Sequence, residues 1–285
     1  MMKVSNNTFL RCCALLLAIL FISATAVFAQ DKTEKMVKGS DFCSNHNYSS
    51  GDNRVSFKET RDMTLRAGSL LSVDGGKNGG VKVKGENRAD ILVRACVQTQ
   101  GTTDEAAQAI ARNIRIETSP TVHAENSTGE TTWAVSYEIF VPRSTNLKLT
   151  AHNGGIAISG VDGKMDFETQ NGGIHLSDSA GDVKGRTANG GVHVELSGNS
   201  WKGSGLDMQT TNGGVHLSMP ETFAARIETG TVNGGFKSDI AGLSVDRNDR
   251  QRAVRLNTDL NGGGAPIRVV TTNGGVKISS SAKNY

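Results

Sequence analysis

The tripeptide Asn-Gly-Gly recurs along this 285-residue chain, and no other feature restricts its fold so tightly. It begins at Asn78, Asn153, Asn171, Asn189, Asn212, Asn233, Asn261 and Asn273, with central spacings of 18, 18, 23 and 21 residues. The 40 residues from Asn233 to Asn273 read as two further turns. Ahead of Asn153, Asn171, Asn189, Asn212, Asn233 and Asn273, an alternating inward set stands at positions −6, −4 and −2, as in Met165, Phe167, Thr169 and in Leu206, Met208, Thr210. Behind the glycines a second pair stands at +3 and +5, as in Ile174 and Leu176 or Val215 and Leu217. Alternation with period two on both sides of a turn defines two short strands per repeat, each with one face inward. The chain holds 34 glycines but only 4 prolines, and the glycines follow this repeat rather than every third position, which excludes collagen and a disordered linker.

About twenty residues with two or three short strands is the content of one rung of a parallel β-solenoid, in which each strand pairs with its equivalent one rung away. The expected class is therefore all-β, a right-handed parallel β-solenoid (β-helix) with Asn-Gly-Gly corners and a small α+β N-terminal cap. A left-handed hexapeptide coil is the competing geometry, but no six-residue apolar period runs inside the repeats. Gly-Gly is expected to turn the corner by adopting positive φ. Asn153, Asn171, Asn189, Asn212, Asn233 and Asn273, stacked at about 4.8 Å, are expected to hydrogen-bond as a ladder. Thr at −2 is expected to pair with itself across rungs.

Three segments are expected. Residues 1–29 read as a secretory signal, with Lys3 and Arg11 before the apolar stretch Cys12–Val27 and a cleavage site after Ala29. Cys12 and Cys13 leave with it. Residues 30–145 form the cap, with one early corner at Asn78, a strand from Ala89 to Val97, and a helix through about Asn113 opened by the capping box Thr102-Thr-Asp-Glu. Strands over 114–118, 121–124 and 133–141 follow. Residues 146–285 form the solenoid. An open solenoid end exposes strand edges and invites polymerisation, so an unlike N-terminal unit suits a cap; the C-terminal cap has no clear signal.

Without the signal, 29 basic residues face 28 acidic ones, and no Lys/Arg cluster offers a footprint for nucleic acid. No second stretch of about 18 apolar residues implies membrane insertion. Cys43 and Cys96 remain; an exported chain can join them, the alternative being two separate buried thiols. The +4 position carries His175, His193 and His216, with Glu195 at +6, so successive rungs align imidazoles and one carboxylate that could share a divalent ion. The same column also reads as a plain polar face or as a protonation-sensitive surface. Asp162, Asp166, Asp178, Asp182 and Asp207 share no repeat position and read as turn residues rather than a catalytic set. No nucleophile elbow and no phosphate-binding loop occurs. Aromatic platforms for sugars are limited to Trp133, Tyr137 and Trp201, the last either projecting from the long turn 197–205 or folded over the core.

The runs Ala151-His-Asn-Gly-Gly-Ile-Ala-Ile-Ser-Gly, Glu168-Thr-Gln-Asn-Gly-Gly-Ile-His-Leu, Thr187-Ala-Asn-Gly-Gly-Val-His-Val and Thr210-Thr-Asn-Gly-Gly-Val-His-Leu resemble the bacterial β-strand-repeat family of candidate adhesins known as toastrack proteins. The resemblance covers about residues 81–278. It implies an envelope protein of a family without established chemistry, some of whose members are linked to membrane stress signalling; this chain departs from those in having no anchor. The expectation is an exported, non-enzymatic protein of the periplasm or cell surface, without cofactor, whose partner is an envelope protein or a polysaccharide. The alternative is a metal-binding or polysaccharide-acting β-helix protein using the His column.

Overall fold

Parallel pairing between equivalent strands of successive repeats organises the chain. The computed structural model describes residues 35–37, 41–44, 54–243 and 253–281, so the expected signal segment lies outside the described residues. The described part is all-β in two open sheets of 11 and 8 strands, with a third of two strands, Ile114–Glu117 and His123–Asn126. Each repeat gives one strand to each large sheet. Asp162–Asn171, for example, runs in the second sheet and Ile174–Ser177 in the first, with the two glycines between them.

The inward positions read from the sequence are the core. Met165 and Phe167 face Ile174 and Leu176, and all four are at most 2% exposed. Removing such side chains from water is the main favourable term, about 25 cal/mol per Å² of apolar surface. Gly185 occupies an inward position without filling it. A Cβ there would collide with the Phe167 ring and the Met208 sulfur, so two large neighbours share the space of the missing side chain.

The glycines of the repeat serve a different purpose from the one expected. None of those between Asn153 and Asn273 in the stacked repeats has positive φ; the left-handed glycines lie elsewhere, as at Gly160 and Gly181. A Cβ added to Gly172 would instead run into the carbonyl oxygen of Gly154 one rung away, and one added to Gly190 into that of Gly172. Close stacking of backbone on backbone is what demands glycine. The same carbonyls receive the −2 threonines: Thr169 Oγ1 donates to Gly154 O, Thr187 to Gly172 O and Thr210 to Gly190 O, each at 2.7 Å. The hydroxyls thus bind main chain rather than each other, because the inward-turned Thr meets the carbonyl before it can reach its counterpart.

The last rungs do not follow sequence order. In the first sheet Val276–Ser280 pairs with Val215–Met219 on one side and Phe236–Ser238 on the other, and in the second sheet Pro266–Asn273 lies between Gly205–Asn212 and Ala225–Asn233. The C-terminal rung is therefore inserted beneath the one that precedes it in the chain. Charge gives a reason. Along the outer face of the second sheet the in-register residues run Lys148, Asp166, Lys184, Asp207, Arg268, Glu228, alternating in sign throughout. Sequence order would set Asp207 against Glu228; the insertion puts Arg268 between them, 2.6 Å from Asp207. Asp166 and Asp207 are thus mid-strand members of this ladder and not turn residues, whereas Asp178 does occupy a turn, at φ 45°.

Asn261-Gly-Gly is not a rung. Asn261 stands at φ 50° and donates Nδ2 to the carbonyls of Glu221 and Phe223, closing the loop after Val254–Leu260. That strand pairs antiparallel with Ala225–Asn233 and covers the edge of the second sheet, which supplies the C-terminal cap. At the other end Leu70–Asp74 and Val81–Glu86 form a full rung on Asn146–Ala151 and Ile156–Ser159, so the stack takes in residues ahead of 145. The first sheet then continues through Trp133–Pro142, Asp90–Gly101 and Val55–Arg66. The helix Asp104–Arg112 starts one residue later than expected, with Thr103 accepting from Ala106 N, and it buries Ala107 and Ala111. Arg61 holds its C-terminal end, donating to Ala111 O at 2.8 Å and Ile114 O at 2.6 Å. Cys43 and Cys96 form a disulfide with Cα atoms 5.2 Å apart.

Gly172→Ala should lower stability by about 2 kcal/mol or more in urea unfolding, since backbone rather than a flexible side chain must move. Arg268→Glu, which sets three acids side by side, should cost about 1 kcal/mol at low salt and less at high salt; a loss that salt leaves unchanged would separate the insertion from the charge pattern.

Candidate functional site: a groove along the stack

Where the strands of the second sheet end and the chain turns toward the first, the asparagines make a continuous ladder. Asn153 Nδ2 donates to Asn78 Oδ1 at 3.1 Å, Asn171 to Asn153 at 2.8 Å, Asn189 to Asn171 at 2.8 Å and Asn212 to Asn189 at 2.9 Å. It continues through the inserted rung, Asn273 to Asn212 and Asn233 to Asn273, both at 2.8 Å. Each amide leaves one N–H and one lone pair turned outward. Asn78, not placed among the ladder residues from sequence, is its first member.

Beside the ladder runs a groove of about 1860 Å³ that spans every rung from Asn78 to Phe236. Its floor is the second glycine of each triplet, Gly155, Gly173, Gly191 and Gly214 among them, so bare backbone is exposed where a side chain would stand. Its far wall is the +4 row. Lys82, Ala157 and His175 are in register with one another, and His193, His216, Lys277 and Lys237 continue the line. Lys82 is exposed and answers to the same +4 rule from Asn78, a signal the sequence carried.

The three imidazoles lie against each other. His175 and His193 stack with centroids 4.8 Å apart and planes 10° from parallel; His193 meets His216 edge to face at 4.6 Å. His216 Nε2 also contacts Ser279 Oγ at 2.8 Å. Stacked rings point their nitrogens alongside one another instead of converging, and Glu195 lies in the next outward row, between Ser177 and Ser218. Among the described residues no group of three or more His, Cys, Asp or Glu side chains is placed to hold a metal ion. The candidate set His175, His193, Glu195 and His216 is thus brought together as a column but not as a coordination shell. Burial, and then the charges of His175 and His216, hold His193 below the ordinary imidazole value against the pull of Glu195. Burial and Lys277 do the same to His216.

At its N-terminal end the groove meets a tight charge group. Glu138 receives Lys84 at 2.9 Å, Lys82 at 3.5 Å and Arg94 at 3.6 Å, and Arg94 also binds Asp62 at 3.1 Å. Burial opposes the ionisation of Glu138, but these cations, Lys84 foremost, outweigh it and keep the carboxyl below its usual value. Beyond this group Phe42, next to the Cys43–Cys96 bridge, and Gln98 close the end. Gln98 is 4% exposed, with Nε2 on Cys96 Sγ at 3.4 Å and Oε1 without a hydrogen-bond partner among the described residues.

The expected aromatic platforms are absent from the groove surface. Trp201 folds over the core with Nε1 on Gly181 O at 3.0 Å, Trp133 Nε1 binds Glu130 O, and Tyr137 is buried, its hydroxyl pushed to a higher value by burial and by Asp74. Trp201 thus finds its carbonyl inside the fold and Trp133 finds one on an exposed loop.

The chain belongs to the Toastrack DUF4097 family, which matches residues 76–279. Among solved structures it is similar to a candidate cell adhesion protein of Clostridium sporogenes, at 13% identity over 79% of this chain and 100% of that one, with a TM-score of 0.46. A candidate adhesin of Bacteroides fragilis follows at 11% identity over 79% and 97%, TM-score 0.38. A candidate lipid-binding protein of Parabacteroides distasonis follows at 10% over 79% and 96%, TM-score 0.31. No curated protein matches the chain. No helix among the described residues is long and apolar enough to cross a membrane.

The depressed imidazoles set a pH dependence. Folded His193 and His216 give up their protons below about pH 6.5, where the unfolded chain still holds them, so their contribution is present above that value and is lost as pH falls through the lower folded one. The parent should lose more stability between neutral and mildly acid pH than His193→Gln does. Imidazole proton resonances titrating at ordinary values would contradict this.

Proposed function

We propose that the protein is exported and acts without catalysis as an interaction module of the cell envelope or surface. In this reading the repeats wind as a right-handed coil with Asn-Gly-Gly at the corners. The part of residues 30–145 outside the rung of 70–86 adds a cap to the solenoid. The observation that carries the reading is the groove: it is long, shallow-floored and repetitive, and it offers the same few groups on every rung. Such a surface makes many modest contacts with an extended partner. A catalytic centre instead gathers unlike groups around one reacting bond. The nearest thing to such a gathering, around Glu138, has its carboxylate committed to three cations. Two of the solved structures to which the chain is similar are named for adhesion, which is in keeping with this.

The test is direct. Fluorescently labelled mature chain, from Gln30 onward, should associate with intact bacterial cells or isolated envelopes, saturably and in competition with unlabelled protein. A chain that neither reaches the envelope in its own cells nor associates with envelope material would overturn the reading.

A further inference from the structure

The two outer faces of the stack treat charge differently. On the second sheet the central row alternates in sign and neutralises itself. On the first sheet the row from Ala157 to Lys237 contains no carboxylate, and the neighbouring +6 row contributes Glu195 and, next to Lys237, the exposed Asp239. Near neutrality the excess charge lies at the C-terminal end, where Lys277 and Lys237, both exposed, outnumber Asp239. At the N-terminal end the cations are balanced by Glu138 and Asp62, and the unmet group is instead an acceptor, Gln98 Oε1. An occupant must therefore be extended, narrow enough to lie on glycine, anionic, and able to donate a hydrogen bond from a neutral group.

We infer that the groove binds a linear acidic polysaccharide laid along the stack, its acid groups over Lys277, Lys237 and the histidine column and a sugar hydroxyl donated to Gln98 Oε1. The inference rests on the reading of the protein as an interaction module. Rungs about 4.8 Å apart repeat at close to the length of one extended sugar residue, so successive sugars meet equivalent groups. The outward N–H and carbonyl of each ladder asparagine can serve hydroxyls along the way. The glycine floor leaves the pyranose ring lying on flat backbone, which needs no aromatic platform. An inserted peptide strand is disfavoured, since the floor carbonyls already accept hydrogen bonds from the next rung, as Gly173 O does from Ile156 N and Gly191 O from Ile174 N.

Acid should strengthen the complex. His193 is faced across the sheet by His175 and His216, with Glu195 on its own strand and Lys277 beyond His216. In the empty groove those like charges resist protonation, whereas an anion over the column favours it, so ligand and protons bind together.

The experiment is calorimetric titration of the purified chain, disulfide intact, with a galacturonate decasaccharide, a heparin decasaccharide, an equally long cello-oligosaccharide and polyphosphate. At least one acidic sugar should bind, roughly tenfold more tightly at mildly acid than at mildly alkaline pH and more weakly as salt is added. The double variant Lys237→Glu/Lys277→Glu, at exposed positions that leave folding intact, should weaken it roughly tenfold or more. Gln98→Leu should weaken it too, and if that variant fails to fold the lysine pair carries the test. The inference falls if neither acidic sugar binds, if the cello-oligosaccharide binds as well as they do, if polyphosphate binds as tightly as the sugars, or if the lysine double variant is unaffected. A negative result here leaves the envelope reading standing. Failure to associate with envelopes, by a chain that still binds an acidic decasaccharide, would sink that reading and not this one.

Discussion

The stack depends on one contact, the carbonyl of a repeat's first glycine against the α-carbon of the next. That approach is possible only where the residue offering its α-carbon lacks a side chain, and it sets how closely one rung can sit on another. The −2 threonine hydroxyl then satisfies the same carbonyl from inside, which matters because an unmet buried acceptor would cost about 1–3 kcal/mol. With spacing fixed at this point, the asparagine amides a residue earlier fall into hydrogen-bonding range, and the +4 side chains four residues later fall into ring contact. Ladder, groove floor and histidine column are three outcomes of one packing constraint. None of them requires its own device.

The faces then diverge by what the repeat places on them. The second sheet carries long charged side chains whose signs alternate from rung to rung, and it is content with itself. The first carries imidazoles and lysines facing a trough with no side chains in its floor. The disulfide and Phe42 stand at one end of that trough, so the covalent link in this chain borders the groove as well as tying the first segment to the sheet. Placement of the repeated residues in the sequence is therefore explained twice, once by stacking and once by the surface that stacking exposes.

Much of this was legible in the order of residues. Alternation around Asn-Gly-Gly revealed the inward sets, the ladder partners and the register of His175, His193 and His216, because parallel in-register pairing maps sequence position directly onto a row in space. What remained hidden depended on things that mapping does not contain. The glycines were credited with unusual dihedrals, when their role is steric and visible only with a neighbouring rung in place. Thr was matched to Thr, when a carbonyl lay nearer. Asn261 carries the repeat's signature but has Arg255, Asn257 and Asp259 at the −6, −4 and −2 positions before it, and the chain uses it as a left-handed turn. The place of the C-terminal rung could have been suspected from charge alone, since Asp207 and Glu228 occupy equivalent positions with Arg268 available to part them.

That inserted rung has a consequence for how the molecule comes into being. From Asn153 to Asn212 neighbouring asparagines are 18 or 23 residues apart, whereas Asn78 meets Asn153 across 75 and Asn212 meets Asn273 across 61. A chain delivered from its N-terminus can wind the earlier layers as they emerge, each on a finished template. The final two cannot be laid down in turn. The slot beside Val215–Met219 has to wait for residues that arrive last, and until they do Ala225–Asn233 has only the hairpin partner Val254–Leu260 and no rung beneath it. Assembly is thus progressive for most of the molecule and concerted at its tip, where closing a long loop is the entropic toll for sealing the stack. The end of the protein that carries Lys237 and Lys277 exists only once residues 266–280 are in place.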